Sequence, residues 1–140
     1  MTNNERAMYT GLAMCRNTEV AQRWARSQLF LIIHSAAFSF VAARAQPERR
    51  FLLVMGAVGV VLGVFWLLAN WRTDQWIVYW QSCLVNFERT EHEPVETPIF
   101  SGLAYDRVAG FPFTFNRIVM ALASFFLLAW IVVILIAFFV

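Results

Sequence analysis

The chain has 140 residues, 60% of them hydrophobic and 16% aromatic, with only 14% charged. Soluble domains carry about 25% charged residues, so this chain lacks the polar surface to face water on all sides, and it is too apolar to stay disordered. Eleven arginines, no lysine and nine acids leave a formal charge of +2, far from the dense basic face that nucleic acid requires. Two cysteines, Cys15 and Cys83, do not make a disulfide scaffold. The composition points to a small integral membrane protein of one all-α unit.

In chain order, residues 1–26 read as a polar N-terminal helix. Asn3 or Asn4 supplies an N-cap, and Glu19 precedes Arg23 by four residues, the favourable order for an ion pair. Residues 27–45 form the first transmembrane helix, with its apolar run from Leu29 to Ala43. This is the weakest span: fifteen residues cover only about 22 Å, so crossing requires an earlier start near Trp24 and snorkelling of Arg26 and Arg44. A secretory leader is the rival reading, but 28 residues precede the apolar run, far more than a normal n-region.

Residues 49–70 form the second transmembrane helix. Twelve Leu, Val and Phe residues lie between Phe51 and Asn70. Arg49 and Arg50 flank one end; Trp66, Trp71 and Arg72 form an aromatic-cationic belt at the other. Residues 71–92 continue as an amphipathic helix. Trp76, Tyr79, Trp80, Cys83, Leu84 and Phe87 recur at helical spacing, and no Gly or Pro lies between Gly63 and Pro94 to interrupt the run from the second span. Residues 93–116 form a loop punctuated by Pro94, Pro98, Gly102, Gly110 and Pro112.

Residues 117–140 form the third transmembrane helix. The stretch from Ile118 to Val140 carries no charge, and sixteen of its residues are Leu, Ile, Phe or Val. At roughly −0.3 to −0.6 kcal/mol each, these favour insertion by about 5–10 kcal/mol.

Arginine placement predicts the orientation. Arg6, Arg16, Arg23, Arg26, Arg72, Arg89, Arg107 and Arg117 fall on one side, and Arg44, Arg49 and Arg50 on the other. Eight against three places the N-terminus in the cytoplasm and the C-terminus on the opposite side.

Four groups of residues are candidates for a role. The first is a polar stripe on helix 1: Ser27, Gln28, His34, Ser35 and Ser39 fall within about 140° of the wheel. It reads either as a proton- or ion-lining face or as a helix–helix contact, and one histidine without an acidic partner in any span favours packing. The second is Gly56, Gly59 and Gly63, which include a G-x-x-x-G and predict close helix approach, within the chain or between copies. The third is the aromatic face of Trp76, Trp80, Cys83 and Phe87, too large to leave in water, which needs the N-terminal helix, another copy or the lipid surface. The fourth comprises cytoplasmic ion-pair candidates: Arg16, Glu19, Arg23, Arg26, Arg72 and Glu88.

Metal ligands are sparse. Cys15, Cys83, His34 and His92 show no ligand spacing, and Glu88 with His92 reads as a solvated acidic helix end. No P-loop, G-x-S-x-G or Rossmann fingerprint is present, and no carboxylate lies within a span. No enzyme activity, metal or cofactor is expected.

Arg16-Asn17-Thr18-Glu19-Val20 followed by Trp24-Ala25-Arg26-Ser27-Gln28-Leu29-Phe30, then Gly63-Val64-Phe65-Trp66, Trp80-Gln81-Ser82 and Phe87-Glu88, resembles the RipA family of octameric bacterial membrane proteins. The likeness spans roughly residues 9 to 92, and Arg16, Asn17, Glu19, Trp24, Arg26, Trp80, Gln81 and Glu88 match its pattern. It implies a cytoplasmic-membrane protein that assembles as a high homo-oligomer and supplies no catalytic residues. It also suggests that Glu19 or Glu88 pairs with Arg16, Arg26 or Arg72 where the cytoplasmic helices meet.

The expected protein is therefore a three-span inner-membrane scaffold whose partners are the lipid bilayer and copies of itself. The alternatives are an oligomeric pore lined by the helix 1 stripe, and an accessory subunit of a larger membrane complex.

Overall fold

The computed structural model describes residues 2–44, 46–90 and 115–139. Within them the chain forms three helices: α1 (Asn3–Ala42), α2 (Arg49–Thr90) and α3 (Phe115–Ile136). All three are long and apolar enough to cross a membrane. The described residues contain no strand. α1 runs unbroken from the polar N-terminal stretch through the short apolar run. This supplies the length that fifteen apolar residues lack. The loop expected over 93–116 and His92 lie outside the described residues, apart from the start of α3.

The N-terminus of α1 is capped by Thr2, one residue before the expected asparagines. The Thr2 side chain accepts from the Glu5 backbone N–H, and the Glu5 carboxylate accepts from the Thr2 N–H. This reciprocal box satisfies two of the helix's orphan donors.

α1 and α2 pair as an antiparallel hairpin. Contacts descend α2 as they ascend α1: Tyr9 meets Glu88, Arg23 meets Asp74, Ser27 meets Asn70, and Phe30 and His34 both meet Trp66. The seam follows heptad spacing. The buried positions of α2 are Leu52, Gly56, Gly59, Gly63, Trp66, Asn70, Thr73, Leu84 and Glu88, with the three glycines against the third helix. Steps of three and four from Leu52 to Thr73, then one of eleven to Leu84 in the same phase, keep one stripe facing a partner along the helix, the geometry of a coiled coil.

α3 packs antiparallel to the first half of α2, with Leu127, Trp130 and Ile134 over Gly63, Gly59 and Gly56. Its 22 residues span about 33 Å, enough for a hydrocarbon core of about 30 Å. The 40 and 42 residues of α1 and α2 reach about 60 Å. The hairpin therefore continues for about 30 Å beyond the three-helix part, as residues 3–26 against 71–90.

Candidate functional site

The polar side chains of the interior fall into three levels along the hairpin. The deepest is His34, fully buried where all three helices meet. Trp130 on α3 donates its indole N–H to His34 Nδ1 at 2.8 Å. The imidazole lies against Trp66 of α2 and Phe126 of α3, with ring centroids 5.5 and 5.2 Å away. Phe38 stacks on Trp130 at 4.0 Å. Two donors in this cluster, His34 Nε2 and Trp66 Nε1, are buried without a partner among the described residues.

This cluster depends on the glycines. A Cβ on Gly59 would fall inside the Trp130 indole, so the ring reaches His34 only because position 59 has no side chain. Gly56 plays the same part for Ile134, whereas a Cβ at Gly63 would meet Leu127 at 3.2 Å. The small-residue face thus lies within the chain, against α3. It lets the backbones approach closely, which drives helix association where lipid offers no hydrophobic effect.

One level up, Ser27 donates to Asn70 Oδ1 at 3.3 Å, and Asn70 donates to the Trp66 carbonyl at 3.0 Å. Thr73 donates to the Ala69 carbonyl, and Arg23, 4% exposed, pairs with Asp74 at 3.2 Å. At the far end, the Tyr9 hydroxyl donates to Glu88 at 2.7 Å, and the Tyr9 ring packs near Phe87. Partial burial, the hydrogen bond to Glu88 and that carboxylate's charge push the Tyr9 phenol up to about 12.

The five stripe residues divide. Ser27 and His34 are buried in the seam, whereas Gln28, Ser35 and Ser39 lie exposed on the outer side of α1, where Ser39 donates to the Ser35 carbonyl. The aromatic face divides as well. Phe87 turns toward α1, while Trp76, Tyr79 and Trp80 form an outward cluster of mutually packed rings, and Cys83 is half-buried.

Among the ionic candidates, Arg23 crosses the hairpin to Asp74. Glu19 lies 3.6 Å from Arg26 on its own helix, and Arg26 also donates to the Gln22 carbonyl. Arg72 donates to Gln75, and its guanidinium lies 5.6 Å from the Trp76 ring centre. Arg16 donates to Asn17.

Sequence reasoning did not single out Tyr9, Asn70, Thr73, Asp74 or Trp130 as partners. The heptad spacing of Trp66, Asn70 and Thr73 was the available signal, since it continues the glycine face. Cys15 and Cys83 are free thiols, and the described residues hold no group of three potential metal ligands.

The interior is thus a lock that holds helices together, and the exterior of the three-helix part is largely apolar, with Val58, Val61, Phe65, Leu128, Leu135 and others exposed. This defines a polytopic α-helical membrane subunit. The chain belongs to the octameric membrane protein family (8xMP), whose family model matches residues 7–139. No curated protein and no solved structure matches the chain. The octamer implied by the RipA likeness agrees with that family.

Proposed function

We propose that the protein is a structural subunit that assembles with copies of itself into a scaffold in the bacterial inner membrane. The N-terminus and the hairpin extension lie in the cytoplasm, and the C-terminus lies on the opposite side. The finer likeness to RipA proteins belongs to this proposal and agrees with it in membrane and oligomeric state.

The observation that carries the reading is the state of His34. It is the one titratable side chain in the apolar runs, and it is closed in by Trp66, Phe126 and Trp130, with its Nδ1 taken up by an indole N–H. Polar groups at membrane depth usually mark a pathway or a contact; here the group is spent on a contact. The proposal assigns no catalysis and no cofactor.

A second reading, an oligomeric pore, draws on Gln28, Ser35 and Ser39, which face outward from the protomer at membrane depth or its edge. Ion flux into liposomes containing the purified assembly separates the two. A scaffold leaves flux at the level of empty liposomes. Flux that falls in Ser35→Ala or Gln28→Ala but persists in His34→Ala overturns the scaffold in favour of a pore lined by the outer stripe.

A further inference from the structure

Each helix of the hairpin carries a second seam outside the one that joins them. On α1 it contains Ala21, Trp24, Gln28 and Ser35; on α2 it contains Phe65, Leu68, Arg72, Gln75 and Tyr79. Both follow heptad steps, and all nine residues are exposed. Heptad spacing on an exposed face is the pattern that another helix fills.

Three further observations bear on what covers these seams. The first is polarity. The α1 seam holds Gln28 and Ser35 within or beside the span, and polar side chains at that depth face protein or water and avoid lipid.

The second is direction. At 100° per residue, the α1 seam is rotated about 110° forward from the side that faces α2, and the α2 seam lies about 160° from the side that faces α1, on the far face of that helix. The first seam therefore lies on a flank of the hairpin and the second on its outer edge, so the two point in different directions. A contact between two such unlike patches is heterologous, the kind that builds rings.

The third is height. The pairs Arg23–Asp74 and Ser27–Asn70 fix the register, so Ala21 lies within a turn of the level of Trp76, and Gln28 within a turn of Leu68. A cyclic ring has no rise from copy to copy, so its mating patches must share one height. These do.

The α1 flank is hollowed by a groove of about 510 Å³ lined by Asn17, Val20, Ala21 and Trp24. At that height the α2 seam carries the Trp76–Tyr79 ring pair, centroids 5.9 Å apart, beside an open hollow of about 360 Å³ that Arg72 and Gln75 also line.

We propose that adjacent copies join through these seams: the α1 flank of one hairpin receives the Trp76–Tyr79 edge of the next, and repetition closes the ring. Resting on the reading that the chain assembles with itself, the proposal adds which surfaces meet. It places Gln28 and Ser35 in the subunit contact and seats the aromatic edge in the groove beside Ala21. Arg72 then lies where it can donate to the side-chain carbonyls of Asn17 or Gln28 on the neighbour.

Cysteine cross-linking in lipid nanodiscs or native membranes tests this. In a Cys15→Ser, Cys83→Ser background, Ala21→Cys combined with Tyr79→Cys is expected to give an oxidation ladder from dimer upward. Each single cysteine alone is expected to give no dimer, because the two surfaces are unlike. Native mass spectrometry on the same samples reports assembly independently. An assembled protein with no ladder overturns the proposal and assigns the flanks to lipid or to the chain's own residues 91–114. Dimers from either single cysteine overturn it in favour of a two-fold contact. A single-copy mass overturns the self-association reading itself, and the proposal with it. Trp76→Ala with Tyr79→Ala is expected to weaken assembly at least tenfold while leaving the helical content unchanged; assembly at full strength contradicts the proposal.

Discussion

Replacing Gly59 with alanine tests the packing account most sharply. The new methyl group would lie within the Trp130 indole, more than an ångström inside ordinary carbon–carbon contact. The indole has little room to move: it is fully buried, stacked on Phe38 at 4.0 Å and hydrogen-bonded to His34. Either α3 moves away from α2 or the ring leaves its site, and both disturb the Trp130–His34 bond. Overpacking of this kind costs ~1–3 kcal/mol, and a polar contact within a membrane protein contributes about 1 kcal/mol. The expected loss is about 2–4 kcal/mol, roughly a 30- to 700-fold shift toward the unfolded state.

The other glycines calibrate the result. At Gly63 a Cβ would meet the Leu127 Cδ1 at 3.2 Å and its Cα and Cβ at 3.3 Å, so α3 must give by a few tenths of an ångström and Gly63→Ala is expected to cost about 1 kcal/mol, the low end for overpacking. Gly56→Ala falls between, because Ile134 lies near the end of α3 and has more freedom to shift. Equilibrium unfolding in mixed micelles, followed by circular dichroism, ranks the three. A Gly59→Ala protein as stable as its parent, or less affected than Gly63→Ala, refutes the reasoning.

Other perturbations follow from the same geometry. Gly11 lies in an exposed helix interior with nothing near its missing side chain, so Gly11→Ala is expected to stabilise the protein by about 0.5–1 kcal/mol in the same unfolding assay. Asp74→Ala leaves the buried Arg23 without this partner and is expected to cost ~1–3 kcal/mol; a double-mutant cycle with Arg23→Ala should recover much of it. The raised Tyr9 pKa means that the folded state keeps a proton the unfolded state releases. Its contribution is complete below pH 10 and declines as pH rises toward 12. Thermal unfolding from pH 9 to 12 should therefore fall more steeply in the parent than in Tyr9→Phe. Glu88→Gln should return the phenol's absorbance titration toward its ordinary value.

The elements were legible because their signals are local. An uncharged run from Ile118 and the lack of any Gly or Pro between Gly63 and Pro94 are enough to indicate α3 and the unbroken run of α2. The partners were not legible. Periodicity shows that His34 lies on a polar face, but not that its neighbour is Trp130, 96 positions away on another helix. The wheel also grouped Gln28 and Ser35 with His34, because a 140° arc is wider than the stripe one neighbouring helix covers; Ser27 and His34, seven residues apart, are the pair that share the seam. Arg23 illustrates a similar limit. Glu19 at four residues was the visible partner; Asp74 across the hairpin is a partner that only the register of two long helices creates.

The central claim is that one interior lock makes the protomer and that copies of the protomer cover what lipid cannot. Native mass spectrometry of the untagged protein released from lipid nanodiscs tests it directly. The account predicts a single dominant species at eight times the 16.1 kDa chain mass, retaining bound lipid. A stable single chain, with or without lipid, would contradict it.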